Sequence, residues 1–423
     1  MENINLLELY KAGIVKDGGH NINVQIEKPN GKKYSGKTYA IPLKYLYYNE
    51  QNGRIGVALS NYESINGHLT SGHNEEYNMV IQKILEDDGE SNTKNQMNDL
   101  KRNIAIQGQD EPGYVLNDGR VIDGNRRFTA KRLIEQDSEI IDQQYFEAVI
   151  LDDLSVQNHD DLKKIKSLEL KIQFGKLGKV DYNAIDRAVD AYKTIVINNV
   201  MTAKEYAGYA NLTPNEVHKR ITEAEIIVKF LEFTNANPDN YALAKDLDLD
   251  GPIQNIIPQY KKFKDNANSE QLLNSLFAKI LQIRATKENY KDDFRTIVQN
   301  VVNSKNENTF ISEMEDATDS IIDVLDTKEK TTSVIGLFDT LKNNIETADA
   351  LADVKKVFAN HSEKTKNLKE RTEPINLVNK AINNIDSIDI NIFKYLSKPE
   401  KEKLFSNLKI LQEEITHILL VGE

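Results

Sequence analysis

The sequence predicts an α+β protein: a small mixed α/β domain over residues 1–155, a helix-turn-helix domain over 156–234 and an all-α region over 259–423. Three observations carry that reading. Alternation of apolar and polar residues, the mark of a half-buried strand, is confined to the first third of the chain. Two helical patterns with matched start signals follow one another between 201 and 227. From 259 onward apolar residues recur at the three- and four-residue spacing of amphipathic helices.

Taken in order, Asn21–Glu27 alternates (Ile22, Val24, Ile26) and Lys37–Tyr48 is rich in Tyr, Ile and Leu, so both are expected as strands, with Asn30-Gly31 turning between them. Asn74–Ile106 has helical spacing through Val80, Ile81 and Ile84. Tyr114-Val-Leu and Arg120-Val-Ile flank Asp118-Gly119, a strand–turn–strand; a short helix over Phe128–Gln136 and a strand over Phe146–Leu151 follow. Leu162–Phe174 and Ala184–Ile197 read as helices. Asn235–Pro258, punctuated by Pro238, Gly251, Pro252 and Pro258, reads as a boundary or an elaborated loop. Beyond it Leu272, Leu276, Ile280 and Ile283, and later Leu404, Leu408, Leu411, Ile415 and Ile418, mark successive amphipathic helices.

Composition narrows the function. Lys+Arg number 54 against Asp+Glu 66, a net charge of −12, which excludes a polybasic coat on nucleic acid though not a local basic groove. With no cysteine there is no disulfide, no thiolate metal site and no cysteine nucleophile, as suits a cytoplasmic protein. No run of eighteen apolar residues could span a membrane, and no export signal opens the chain.

Gly31-Lys-Lys-Tyr-Ser-Gly36-Lys37-Thr38 matches the phosphate-loop spelling, but its sequel Tyr39-Ala-Ile-Pro42 is strand-like where that motif needs a helix. Asp123-Gly124-Asn125-Arg126-Arg127-Phe128 joins a tight turn to a helix start. Gly124 allows close backbone approach, the first-turn amides offer an anion site, and Arg126 and Arg127 supply planar donors. The alternative is that one arginine pairs with Asp123 or Glu111 and the other lies in solvent. His68 and His73 lie in a polar loop that is expected to be solvated, as is Glu86–Glu90, and no metal centre is expected.

Thr202-Ala-Lys-Glu205 and Thr213-Pro214-Asn215-Glu216 each spell a capping box, so two short helices should meet at Asn211-Leu212. Ala207, Leu212, Val217 and Ile221 would pack between them. The second helix would offer Thr213, Asn215, His218, Lys219 and Arg220 to a DNA groove. Between 201 and 229 four basic residues face four acidic ones, so phosphate attraction is weak.

This ordered set of segments resembles the ParB/sulfiredoxin-like superfamily of partition proteins, over roughly residues 38–230. Ile41-Pro-Leu-Lys-Tyr-Leu-Tyr-Tyr-Asn49-Glu-Gln51-Asn-Gly-Arg54 is similar to the family's first strand and its Asn-Pro-x-Gln-Pro-Arg box, without the two prolines. Gly124-Asn125-Arg126-Arg127 resembles its Gly-Glu-Arg-Arg box with Asn125 for glutamate, and Ser167–Phe174 resembles its Glu-Asn-Leu-Gln-Arg helix, of which Gln173 alone is kept.

The resemblance implies a nucleoside triphosphate, CTP or ATP with Mg2+, held by Asn49, Arg54, Gly124, Asn125, Arg126, Arg127 and Gln173. It also implies DNA as a partner and a homodimer, with the C-terminal helices dimerising or recruiting a protein. Sulfiredoxin chemistry needs a cysteine and is excluded. Two other functions share the scaffold: a nuclease or NTP hydrolase with Asp123 as metal ligand or base, and a non-enzymatic adaptor of a mobile-element or phage-conflict system.

Overall fold

The computed structural model describes residues 4–24, 26–50, 53–86, 93–137, 143–175, 183–287 and 291–422. Two compact units emerge, residues 1–359 and 360–423.

The first unit opens with α1 (Leu6–Lys11) and a six-stranded mixed sheet. Its strands are β1 (Lys16–Asn21), β2 (Lys37–Pro42), β3 (Tyr47–Tyr48), β4 (Gly113–Leu116), β5 (Arg120–Asp123) and β6 (Tyr145–Leu151), in spatial order β1-β2-β6-β4-β5-β3. Helices α2 (Gly53–Asn66), α3 (Glu75–Glu86), α4 (Thr93–Gln107) and α5 (Asn125–Glu135) are interspersed. The pairs β3–β5 and β4–β6 are parallel and the others antiparallel. Strand alternation feeds two cores. Val115, Val121, Ala148 and Ile150 pack with Phe128 and Phe146 in one, while Tyr114, Leu116, Ile122, Val149 and Leu151 pack with Leu168 in the other.

Two strands differ from expectation. Lys37–Tyr48 is not one strand but β2 and β3, separated by a 3-10 turn at Leu43–Tyr45 and placed apart in the sheet. The first strand is Lys16–Asn21, and Ile22, Val24 and Ile26 come after it, Val24 and Ile26 buried in the second core. Gly18-Gly19 hid it by resembling a turn. Here glycine is required because a Cβ at Gly18 would collide with Thr38 across the ladder. Gly31 still turns the chain, at φ +77° in the link between β1 and β2. The phosphate-loop spelling occupies that link and the start of β2, with no helix behind it.

Helices α6 (His159–Gly175), α7 (Ala184–Tyr192), α8 (Ala203–Ala210) and α9 (Pro214–Phe233) follow, with a short π-helix at Lys193–Ile197. Both capping boxes form, at Thr202/Glu205 and Thr213/Glu216, and Asn211 turns the chain at φ +55°. Ala207, Val217 and Ile221 lie in a small core with Leu170, Ala191 and Tyr206, with Leu212 packed against it.

Asn235–Pro258 is not a loop. It holds α10 (Tyr241–Asp246) and most of α11 (Asp250–Phe263). Pro252 is tolerated there because first-turn amides have no helical acceptor to lose. A single core runs from Ile185 and Val189 on α7 through Phe230 and Phe277 to Phe358, so packing continues across residues 234–259. It gathers α12 (Ser269–Thr286), α13 (Lys291–Asn300), α14 (Glu307–Asp326) and α15 (Val334–Asn343). The chain crosses into the second unit within α16 (Ile345–Asp386) and ends in α17 (Lys398–Gly422). Among the described residues no helix is long and apolar enough to cross a membrane.

Candidate functional site

Parallel pairing of β3 with β5, Tyr47 opposite Arg120 and Tyr48 opposite Val121, makes the two strands leave the sheet at the same edge. Asn49-Glu50 and Asp123-Gly124-Asn125 therefore emerge side by side, the carboxyl-end position where parallel sheets place ligands. Gly124 caps α5 at φ +96°, and a Cβ there would lie 2.8 Å from Phe146 Cζ and 3.1 Å from Arg127 Nη2. Only glycine satisfies both backbone and space.

Asn125, the first residue of α5, is 6% exposed, and neither Oδ1 nor Nδ2 of its amide has a hydrogen-bond partner. A buried amide in that state costs about 1–3 kcal/mol unless a guest or water completes it. Arg127 is otherwise engaged. Its Nη2 donates to Asp123 Oδ2 at 3.0 Å and its Nη1 to Glu111 Oε2 at 3.0 Å. Arg126 Nη2 reaches Gln96 Oε1 at 3.4 Å. Arg127 is thus held by the chain's own carboxylates, as one half of the alternative has it, whereas Arg126 is half-buried beside Gln96 and not in solvent.

Beside this edge lies a cavity of about 300 Å³ between α2, α6 and α7. Asn49, 2% exposed, lines it, with Glu50, Ser60, Lys166, Glu169 and Lys193 among the others. Asn125, Arg126 and Arg127 do not. Arg54 begins α2, but its side chain is outside the described residues. Gln173 is on α6, donating to Glu169 Oε1 at 3.0 Å, and so buttresses a lining residue.

The cavity wall carries an ion network that sequence reading missed. Lys166 Nζ meets Glu169 Oε2 at 3.1 Å and Asp190 Oδ1 at 2.5 Å, and all three side chains are at most 10% exposed. Burial opposes the Lys166 charge, but Asp190 and Glu169 outweigh it and hold the ammonium above the usual lysine range. Tyr206 on α8 donates to Asp190 Oδ2 at 2.8 Å. The available signal was Lys166 and Glu169 set among Ile165, Leu168 and Leu170, where an amphipathic helix should present apolar groups. Lys193, whose Nζ donates to Ser60 Oγ at 2.6 Å, is lowered from the usual lysine range by burial, with Asp239 opposing. Glu50 pairs with the buried Arg120. The lining carboxylates Glu50, Glu169, Asp190 and Asp239 face the ammonium groups of Lys166 and Lys193, and with Arg120 pairing Glu50 the wall keeps a small acidic excess.

On α9, Asn215, His218 and Lys219 are exposed, while Thr213 is spent on its cap, its hydroxyl donating to Glu216 Oε2 at 2.7 Å. Arg220 is half-buried, and burial lowers it from the usual arginine range. The four acids of this stretch do not all offset the bases. Glu205 is bound by Lys163, which holds its carboxyl down to about 2. Glu223 is buried against Asp250 and pushed up to about 8, so it is largely protonated at neutral pH.

His68 pairs with Glu63 at 2.9 Å, while His73 bonds the Asp118 carbonyl at 2.7 Å, so different partners hold the two histidines. Of Glu86–Glu90, all but Glu86 lies outside the described residues. No cluster of three metal-ligating side chains occurs among the described residues. No known family profile matches the chain, and no curated protein matches it.

Proposed function

We propose that the chain is a ParB-like, DNA-associated protein that binds a nucleotide at the edge shared by β3 and β5. The observation that carries this reading is Asn125, whose buried amide is unsatisfied at the first turn of a helix behind a glycine. Phosphate oxygens there would accept from the α5 amides and from Asn125 Nδ2. The uncharged nucleoside would enter the cavity past Asn49, whose acidic wall suits a sugar and base better than phosphates. A magnesium ion, if used, would arrive bound to the phosphates. The second helix, through Asn215, His218 and Lys219, would contact DNA, with Glu223 contributing little negative charge.

Asp123 as a catalytic base or metal ligand has less support, because Arg127 already holds its carboxylate. Calorimetric titration with CTP, ATP and GTP, with and without Mg2+, tests the nucleotide half. One of them should bind, and Asn125→Leu should abolish binding while leaving the helical circular dichroism intact. Absence of binding by all three, or equal binding by the variant, refutes it.

A further inference from the structure

Two lysines share the cavity wall, and their surroundings push them in opposite directions. Glu169 and Asp190 lock Lys166 as a cation. Lys193 has no such close pair: among the described residues its nearest carboxylate is Asp239, with Oδ1 at 4.0 Å and a side chain 63% exposed. Burial lowers the Lys193 ammonium from the ordinary 10.5, outweighing Asp239, Glu63 and Asp190, which favour its charge; the Tyr241 ring lies 5.1 Å from Nζ. Titratable groups pushed apart within one site mark divided chemical roles.

What Lys193 does touch is a hydroxyl. Its Nζ lies 2.6 Å from Ser60 Oγ, a contact across 133 positions of sequence. Ser60, on α2, is 8% exposed, and its hydroxyl donates to the Gly56 carbonyl at 2.7 Å. As an ammonium Lys193 donates to Oγ; once it loses a proton, the same short contact lets the amine accept the hydroxyl proton. Serine beside a lysine kept neutral by burial is an arrangement that makes the hydroxyl a nucleophile. The backbone serves it too. The Asn198 amide donates to the Lys193 carbonyl at 2.8 Å, the five-residue bond of the π-helix, and Lys193, Thr194, Ile197 and Asn198 all line the cavity. Single π turns recur at functional sites.

The cavity also selects a guest. Its volume of about 300 Å³ is that of a small-molecule site, and Val57, Leu162, Ile165 and Val189 give it an apolar side. The small acidic excess of the wall disfavours a carboxylate, so an uncharged ester is held and the acid formed from it is expelled.

We infer that Ser60 and Lys193 form a nucleophile–base dyad that hydrolyses a small uncharged ester in this cavity. Ser60 Oγ bonds to the ester carbonyl carbon as its proton passes to Lys193 Nζ, and the new ammonium lies beside the developing oxyanion. The bond from that carbon to the alcohol oxygen then breaks, and Lys193 returns the proton to the departing oxygen. Water attacks the acyl-serine, passes one proton through Lys193 to Oγ and frees the carboxylic acid. The activity goes beyond the nucleotide reading and stands without it.

A fluorophosphonate probe applied to the full chain tests the dyad, since its phosphorus takes the place of the carbonyl carbon: the Oγ–P bond forms, the P–F bond breaks and fluoride leaves. One adduct should appear by intact mass, map to Ser60 and be absent from Ser60→Ala. Lys193→Arg keeps a cation against Ser60 but cannot act as a base, so labelling and p-nitrophenyl butyrate turnover should fall by about 100-fold or more with helical circular dichroism unchanged. Wild-type labelling should rise with pH as Lys193 deprotonates and level off below 10.5. Because the chain has no cysteine, Lys193→Cys alkylated with bromoethylamine rebuilds an amine of lysine length there and should recover labelling. An unlabelled wild type, adducts confined to other residues, wild-type labelling by Lys193→Arg, or full alkylation without recovery overturns the inference. Asn125→Leu should label normally, so the two readings fail separately.

Discussion

Replacing Lys166 with methionine isolates the ion network of the cavity wall. The side chain is nearly isosteric up to the charge, so packing of the α6 face is kept while the ammonium is removed. Two carboxylates, Glu169 and Asp190, then remain 4% and 9% exposed, with no cation in the place that Lys166 held 3.1 Å and 2.5 Å away. Removing one member of a buried ion pair costs about 3–5 kcal/mol, because the charge left behind stays desolvated. The remaining bonds, from Tyr206 to Asp190 and from Gln173 to Glu169, soften the loss, so about 3 kcal/mol is expected. The chain has no tryptophan, so urea denaturation is followed by circular dichroism at the helix band. The deficit should narrow on acidification, when protonation removes the stranded charge. A loss below about 1 kcal/mol, the size of a surface ion pair, would refute the argument that this network is desolvated.

Three further outcomes follow from the same geometry. Gly124→Ala should destabilise the first unit by about 1–3 kcal/mol in thermal melts, since alanine would take φ +96° with its Cβ 2.8 Å from Phe146. Glu223 has a folded-state value near 8, above its ordinary 4.5, so the folded state binds the extra proton and stability falls as pH rises between those values. Glu223→Gln should flatten that slope, on the order of a few kcal/mol in all, in denaturant midpoints measured from pH 5 to 9. If the second helix contacts DNA, Lys219→Ala should weaken binding evenly across sequences and reduce the logarithmic salt slope by about 1 in mobility shifts; an unchanged slope removes Lys219 from the interface.

What the sequence disclosed was local chemistry. Thr202 with Glu205 and Thr213 with Glu216 predicted two helix starts to the residue, because a capping box is satisfied within four positions. Asp118-Gly119 and the β4–β5 hairpin were legible for the same reason. Long-range partners were not. Glycines at 18 and 19 look like a turn until Thr38 is known to lie across the ladder, and Pro252 and Pro258 look like breakers until α11 is seen to accept them. The site divided likewise. Gly124 was legible as a turn glycine ahead of a helix start and Asn125 entered only through the resemblance, whereas the acidity of the cavity depends on Glu50, Asp190 and Asp239, which lie far apart in the chain and meet only in the fold.

Asp190 has two oxygens, and each answers to a different neighbour: one to Lys166 in the cavity wall, the other to the Tyr206 hydroxyl on the first helix of the capped pair. The chamber and α8 therefore share a single carboxylate. Loss of that one carboxylate would strip Lys166 of a counter-charge in the cavity wall and the α8 tyrosine of its acceptor in a single change.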